Sequence, residues 1–248
     1  VISVGEIAGY SRSIEPLTAA ALRSIFRGFW GSMARKSTFG ELDVSSGYYD
    51  HHPTFTLSRP VALIGFPGVA YRQVGHDLAS LIGLPLIDLD RWVEHQAGQS
   101  LWQLLCDQGA VALRHLEAQL LEKALTSRPH GLIVLGDGIL IDAENLKRVR
   151  GTAAVIYFRL PPATAYWELR RQIREQPPGP SPFLPVPLES SAQLEPLWAE
   201  RRSGFESAHL VIDMEGVRPE DVVPNLFEAL PRLAGASANE LEGLGHSD

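Results

Sequence analysis

Residues 61–75 read VALIGFPGVAYRQVG. An apolar run fit for a buried strand meets a Gly-Phe-Pro-Gly turn, and the residues from Arg72 resume with helical spacing. A strand turning sharply into a helix carries backbone N–H groups and the helix N-terminus to one point, which is where phosphate binds. In the pattern G-x-x-x-x-G-K-[ST] the second glycine lets the backbone approach, the lysine reaches the β/γ-phosphates and the hydroxyl holds magnesium. Counted from Gly65, those places hold Ala70, Tyr71 and Arg72, with Gln73 next. Gly65 and Gly68 keep the turn, while the lysine and the hydroxyl are both missing. The scaffold of a phosphate site is therefore expected without its ordinary ATP chemistry.

Outward from that stretch the punctuation becomes regular. Strand-like runs recur at 61–65, 84–87, 131–135, 153–158 and 208–213. Helical patterns fill 72–82, 91–97, 100–107, 109–127, 142–150, 162–175, 192–206 and 218–230. Strands alternating with helices imply an α/β fold, a doubly wound parallel five-stranded sheet flanked by helices. Residues 177–187, PPGPSPFLPVP, are too rich in proline for regular structure and are expected to lie over the strand ends as a lid. The expected organisation is an N-terminal extension over 1–59, the main domain over 60–231 and an acidic, disordered tail over 232–248. Within the extension, residues 16–34 look like one amphipathic helix that could dock on the main domain, bind a protein partner or mediate self-association.

Composition removes several function classes. The chain of 248 residues is 45% hydrophobic and 21% charged, as a globular protein is, and carries a formal net charge of −7. No long basic tract offsets that charge, which argues against nucleic acid as a partner. No apolar run approaches a membrane span, and no signal pattern opens the chain, so a cytoplasmic protein is expected. The single cysteine, Cys106, excludes an intrachain disulfide and reads as a buried, inert thiol within an apolar helical pattern. His51-His52 reads as solvated loop. Residues 28–40 (GFWGSMARKSTFG) echo a phosphate loop around Lys36-Ser37, but Arg35 replaces the glycine and no strand precedes it.

Several short patterns, in order over about residues 60–230, resemble shikimate kinase, within the P-loop group that includes the nucleoside-monophosphate kinases. The family's Gly-Phe-Met-Gly-Ser-Gly-Lys-Ser-Thr-Val-Gly corresponds to Gly65–Gly75. Its Leu-Gly-x-x-Phe-x-Asp-x-Asp corresponds to the stretch through Gly83 that ends at Asp88 and Asp90. Its Gly-Glu-x-x-Phe-Arg-x-x-Glu corresponds to Gly109 through Arg114 to Glu117, and its Gly-Gly-Gly turn to Gly136-Asp137-Gly138. A late Glu-Arg, aromatic, Ala-Asp pattern corresponds to Glu200-Arg201, Phe205 and Ala208-His209.

The resemblance implies a role for each of these positions. Asp88 would help hold magnesium if nucleotide binds, and Asp90 would bind the substrate diol. Arg114 and Arg201 would grip the shikimate carboxylate, as converging guanidiniums do well, and Gly136, Asp137 and Gly138 would face that carboxylate. Read from the residues alone, Asp88 and Asp90 could equally cap the next helix, and Arg114 could pair with Glu117.

Three departures decide the functional expectation. Tyr71 and Arg72 replace the lysine and hydroxyl, and losing one preorganised donor to developing charge already costs roughly 10²–10³ in rate. Ser181 replaces the arginine of the family's lid motif Arg-Pro-Leu-Leu. Asp137 puts a carboxylate into the turn that faces the substrate's own, where it would repel that ligand or favour another, unless rotated outward. Arg72, Arg170, Arg171 and Arg174 are basic residues that could compensate. The expectation is a pseudokinase without a cofactor, binding a small shikimate- or quinate-like hydroxy acid in a regulatory role. Two alternatives stand beside it: a divergent active kinase using Mg-ATP, and a ligand-free protein-interaction module.

Overall fold

Val61–Gly65 (β1) is wholly buried, which is what an unbroken apolar run becomes when helices cover both faces of a parallel sheet. Structure is described, in a computed structural model, for residues 57–127, 131–177 and 179–235. The expected helix at 16–34, His51-His52 and the Lys36-Ser37 segment lie outside the described residues.

After β1 come Tyr71–Ile82 (α1), Leu86–Asp88 (β2), Leu89–Ala97 (α2), Leu101–Ser127 (α3) and Leu132–Val134 (β3). Ala143–Thr152 (α4), Ala154–Arg159 (β4), Pro162–Glu175 (α5), Glu195–Glu206 (α6), Leu210–Asp213 (β5) and Pro219–Gly235 (α7) complete the order. Two 3-10 turns, Ile139–Ile141 and Ser191–Leu194, precede α4 and α6. The five strands are all parallel, in the order β2-β3-β1-β4-β5. From β1 the chain leaves for β2 beyond β3, and from β3 it leaves for β4 beyond β1. The neighbouring pair β1–β3 is thus the switch point, and a crevice opens at the carboxyl ends of its strands.

One local reading holds and two change. Gly109, at φ 81 and ψ 171, breaks α3 into the two helices that the sequence separates at 108. In the first of them Leu101 and Leu104 are buried, but Cys106 is exposed. Two residues on from Leu104 is the far side of a helix, so the thiol faces solvent and is not the buried group expected. The last helix runs to Gly235, past Pro231 and past the expected domain end. Leu230, Leu233 and Ala234 are buried against the core, and that burial outweighs the backbone bonds that Pro224 and Pro231 cannot donate. Arg59 Nη2 and Ser58 Oγ donate to the carbonyls of Leu233 and Ala234, tying this end to the approach to β1.

Candidate functional site

The turn after β1 delivers Tyr71 as the first residue of α1. Its ring folds back over Gly65, where a Cβ would lie 2.6 Å from Tyr71 Cδ1. The phenol donates to the carbonyl of Leu135 at 3.0 Å, and the ring stacks on Phe158 with centroids 6.4 Å apart. Burial pushes its pKa far up, so it remains a neutral donor. An aromatic ring, 3% exposed, therefore fills the space between the turns after β1 and β3.

One residue on, the Arg72 guanidinium spans two carboxylates. Nη1 donates to Asp88 Oδ1 at 2.7 Å and Nη2 pairs with Asp90 Oδ2. Burial opposes the charge of Arg72, yet Asp90 and Asp88 hold its pKa well above the ordinary value. Burial raises the Asp90 pKa, with Arg72 pulling the other way. Asp88 also caps α2, accepting from the Arg91 N–H at 3.4 Å. It is cap and site residue at once.

The turn after β3 receives the rest. A Cβ at Gly136 would lie 2.5 Å from Asp90 Oδ1, and one at Gly138 would overlap Arg114 Nη2. Asp90 and Arg114 thus lean directly on the backbone of 136–138. Asp137 points inward: Oδ2 accepts from Arg201 Nε at 2.7 Å and Oδ1 accepts from Ser181 Oγ at 3.2 Å. Arg201 is 2% exposed. Its Nη1 donates to the Leu197 carbonyl and to Glu200, both at 3.0 Å, while Nη2 has no partner.

Arg114 Nη1 donates to Glu117 Oε2 at 2.7 Å, and its guanidinium lies 4.2 Å from the centroid of the Phe183 ring. Glu117 is buried, and that burial pushes its pKa up to about 7 against the pull of Arg114. The lid is therefore seated on the site through Ser181 and Phe183, with Trp102 Nε1 donating to Gly179 O at 3.4 Å.

The structure gathers Tyr71, Arg72, Asp88, Asp90, Arg114, Asp137, Ser181 and Arg201 at one end of the sheet. It does not bring Gln73 there, whose amide bonds Asp77 on the surface at 2.8 Å. The basic residues before the lid are engaged elsewhere: Arg171 with Glu168 and Glu175, Arg170 with Tyr166, and Arg174 with the Arg170 carbonyl. In the sequence Glu117 reads as a partner of Arg114 and as the end of a family element, not as a site residue. Its signal is a lone acid among Leu113, Leu120 and Leu121, all buried.

These residues do not fit a magnesium–nucleotide pair. Asp88, the carboxylate expected to face the cation, carries a guanidinium, no hydroxyl stands at position 72, and position 71 holds a buried ring in place of a lysine. Among the described residues no group of three or more His, Cys, Asp or Glu side chains is placed to hold a metal ion.

A family model for shikimate kinase matches residues 67–231. A shikimate kinase of Thermus thermophilus is 33% identical over 178 residues, covering 71% of this chain and 92% of that one. The Salinibacter ruber shikimate kinase is 31% identical over 180 residues, covering 70% and 85%. Among solved structures, shikimate kinase from Acinetobacter baumannii in complex with shikimate superposes with a TM-score of 0.61 at 25% identity, covering 70% of this chain and 93% of that one.

Proposed function

The chain belongs to the shikimate kinase family, and from that premise we propose that it is a member without phosphoryl transfer, a pseudokinase that works as a regulatory binding module. The observation that carries this reading is Arg72. Its guanidinium spans Asp88 and Asp90, so the two carboxylates expected to serve cation and substrate are already paired within the chain. Tyr71 supplies no charge to a phosphate, and Ser181 leaves the lid without an arginine. A transferring phosphoryl group would meet none of the cationic stabilisation its transition state requires.

The ligand we assign is a small hydroxylated ring of the shikimate or quinate kind. Asp90, Arg114 and Arg201 still converge on the turn at 136–138, and the Acinetobacter baumannii relative is described in complex with shikimate. Asp90 would accept ring hydroxyls, and Arg114 and Arg201 would donate to the opposite end. The active-kinase alternative needs Arg72 to take over phosphate. Its two terminal nitrogens are committed to Asp88 and Asp90, which disfavours that reading.

The test is product formation. Incubated with shikimate and Mg-ATP, the protein should yield no phosphorylated product above the enzyme-free control. Magnesium-dependent product that disappears in Asp88→Asn would overturn the reading in favour of an active kinase.

A further inference from the structure

Four carboxylates, Asp88, Asp90, Glu117 and Asp137, meet four guanidiniums, Arg72, Arg91, Arg114 and Arg201, and Glu200 pairs with Arg201 from the surface. Arg72, Arg114 and Arg201 each hold at least one carboxylate within 3.0 Å. One buried donor of the site remains open: Arg201 Nη2, on a side chain 2% exposed, has no hydrogen-bond partner. A buried N–H donor left unmade is costly, and that cost is relieved by an acceptor oxygen brought in by a ligand.

We propose that Asp137 is a specificity-determining residue: its carboxylate occupies the place on Arg201 that an anionic ligand group would take, so the pocket selects an uncharged hydroxylated ring over the corresponding acid. The inference rests on the binding-module reading above and names its ligand class. An incoming carboxylate would come beside Asp137, and the repulsion between the two is strong away from bulk water. An ammonium group is no better suited, because the open group is itself a guanidinium donor. A hydroxyl, ester or amide oxygen satisfies Nη2 without adding charge. Ser181 strengthens the arrangement. Its hydroxyl donates to the second oxygen of Asp137, which holds the carboxylate inward and couples it to the lid.

The experiment compares shikimate with its methyl ester, which keeps the ring and hydroxyls and removes the charge. Calorimetric titration of the wild-type protein should show the ester binding at least about tenfold tighter than the acid. In Asp137→Asn, which keeps shape and an acceptor while removing the charge, the preference should narrow or reverse. A purely structural role for Asp137 would weaken both ligands together and leave their ratio unchanged. Equal or tighter binding of the acid by wild type, binding of neither ligand, or an unchanged ratio in Asp137→Asn would each overturn the proposal. The wild-type comparison stands even if the variant folds poorly. Failure of the binding-module reading would show separately, as phosphorylated product with Mg-ATP.

Discussion

Arg72 brings a permanent cation to two carboxylates that would otherwise repel each other about the end of β2. Replacing it by serine leaves Asp90 without a counter-charge and Asp88 with only the more distant Arg91, and we expect a stability loss of about 2–4 kcal/mol. Millimolar magnesium should recover part of that loss in Arg72→Ser and leave the wild type unmoved; thermal unfolding with and without the metal checks both. Glu117 gives the pH signature of the site. Its folded pKa of about 7 exceeds the ordinary 4.5, so the folded state keeps a proton that the unfolded state releases. Its contribution is complete below pH 4.5 and is lost as pH rises towards 7, a fall on the order of 3 kcal/mol. Glu117→Gln should gain stability over wild type progressively across that window, as paired denaturant titrations at several pH values would read.

At the scale of elements, the strand–turn–helix at 61–75 was legible because a buried parallel strand needs an unbroken apolar run and the turn needs its glycines. That Tyr71 and Arg72 stand at the counted places of the lysine and the hydroxyl is read from the sequence alone. What these side chains contact is not. The Arg72 clamp joins residues 16 and 18 positions apart, and the inward turn of Asp137 depends on Arg201, 64 residues away. No periodicity encodes such contacts. Cys106 departs from its expected burial for a local reason, since the apolar stripe of its short helix runs through Leu101 and Leu104 and the break at Gly109 prevents any further turn from burying it. That break can be tested directly. Gly109 holds a φ that other residues rarely adopt, with open space around it, so the cost of Gly109→Ala is backbone strain alone. We expect a destabilisation of about 1–3 kcal/mol, measured by chemical denaturation.

For the molecule as a whole, the parallel sheet and the alternation of strand and helix followed from the sequence, whereas its closure did not. Pro231 reads as a stop, yet Leu233 and Ala234 are buried and the carbonyls of both receive bonds from the residues leading into β1. Truncation after Arg232 should therefore lower the melting temperature by several degrees, about what a loss of 1–2 kcal/mol produces in a domain of this size; a tail of no structural weight would leave it unchanged.

The central claim is that this member of a kinase family has internal groups where the nucleotide and its cation would act. Calorimetric titration of Mg-ATP into the wild-type protein and into Tyr71→Lys/Arg72→Ser tests it most directly. We expect no binding heat for the wild type and saturable, magnesium-dependent binding for the double variant. Micromolar binding of Mg-ATP by the wild type, abolished in Asp88→Asn, would contradict the claim and return phosphoryl transfer to the site.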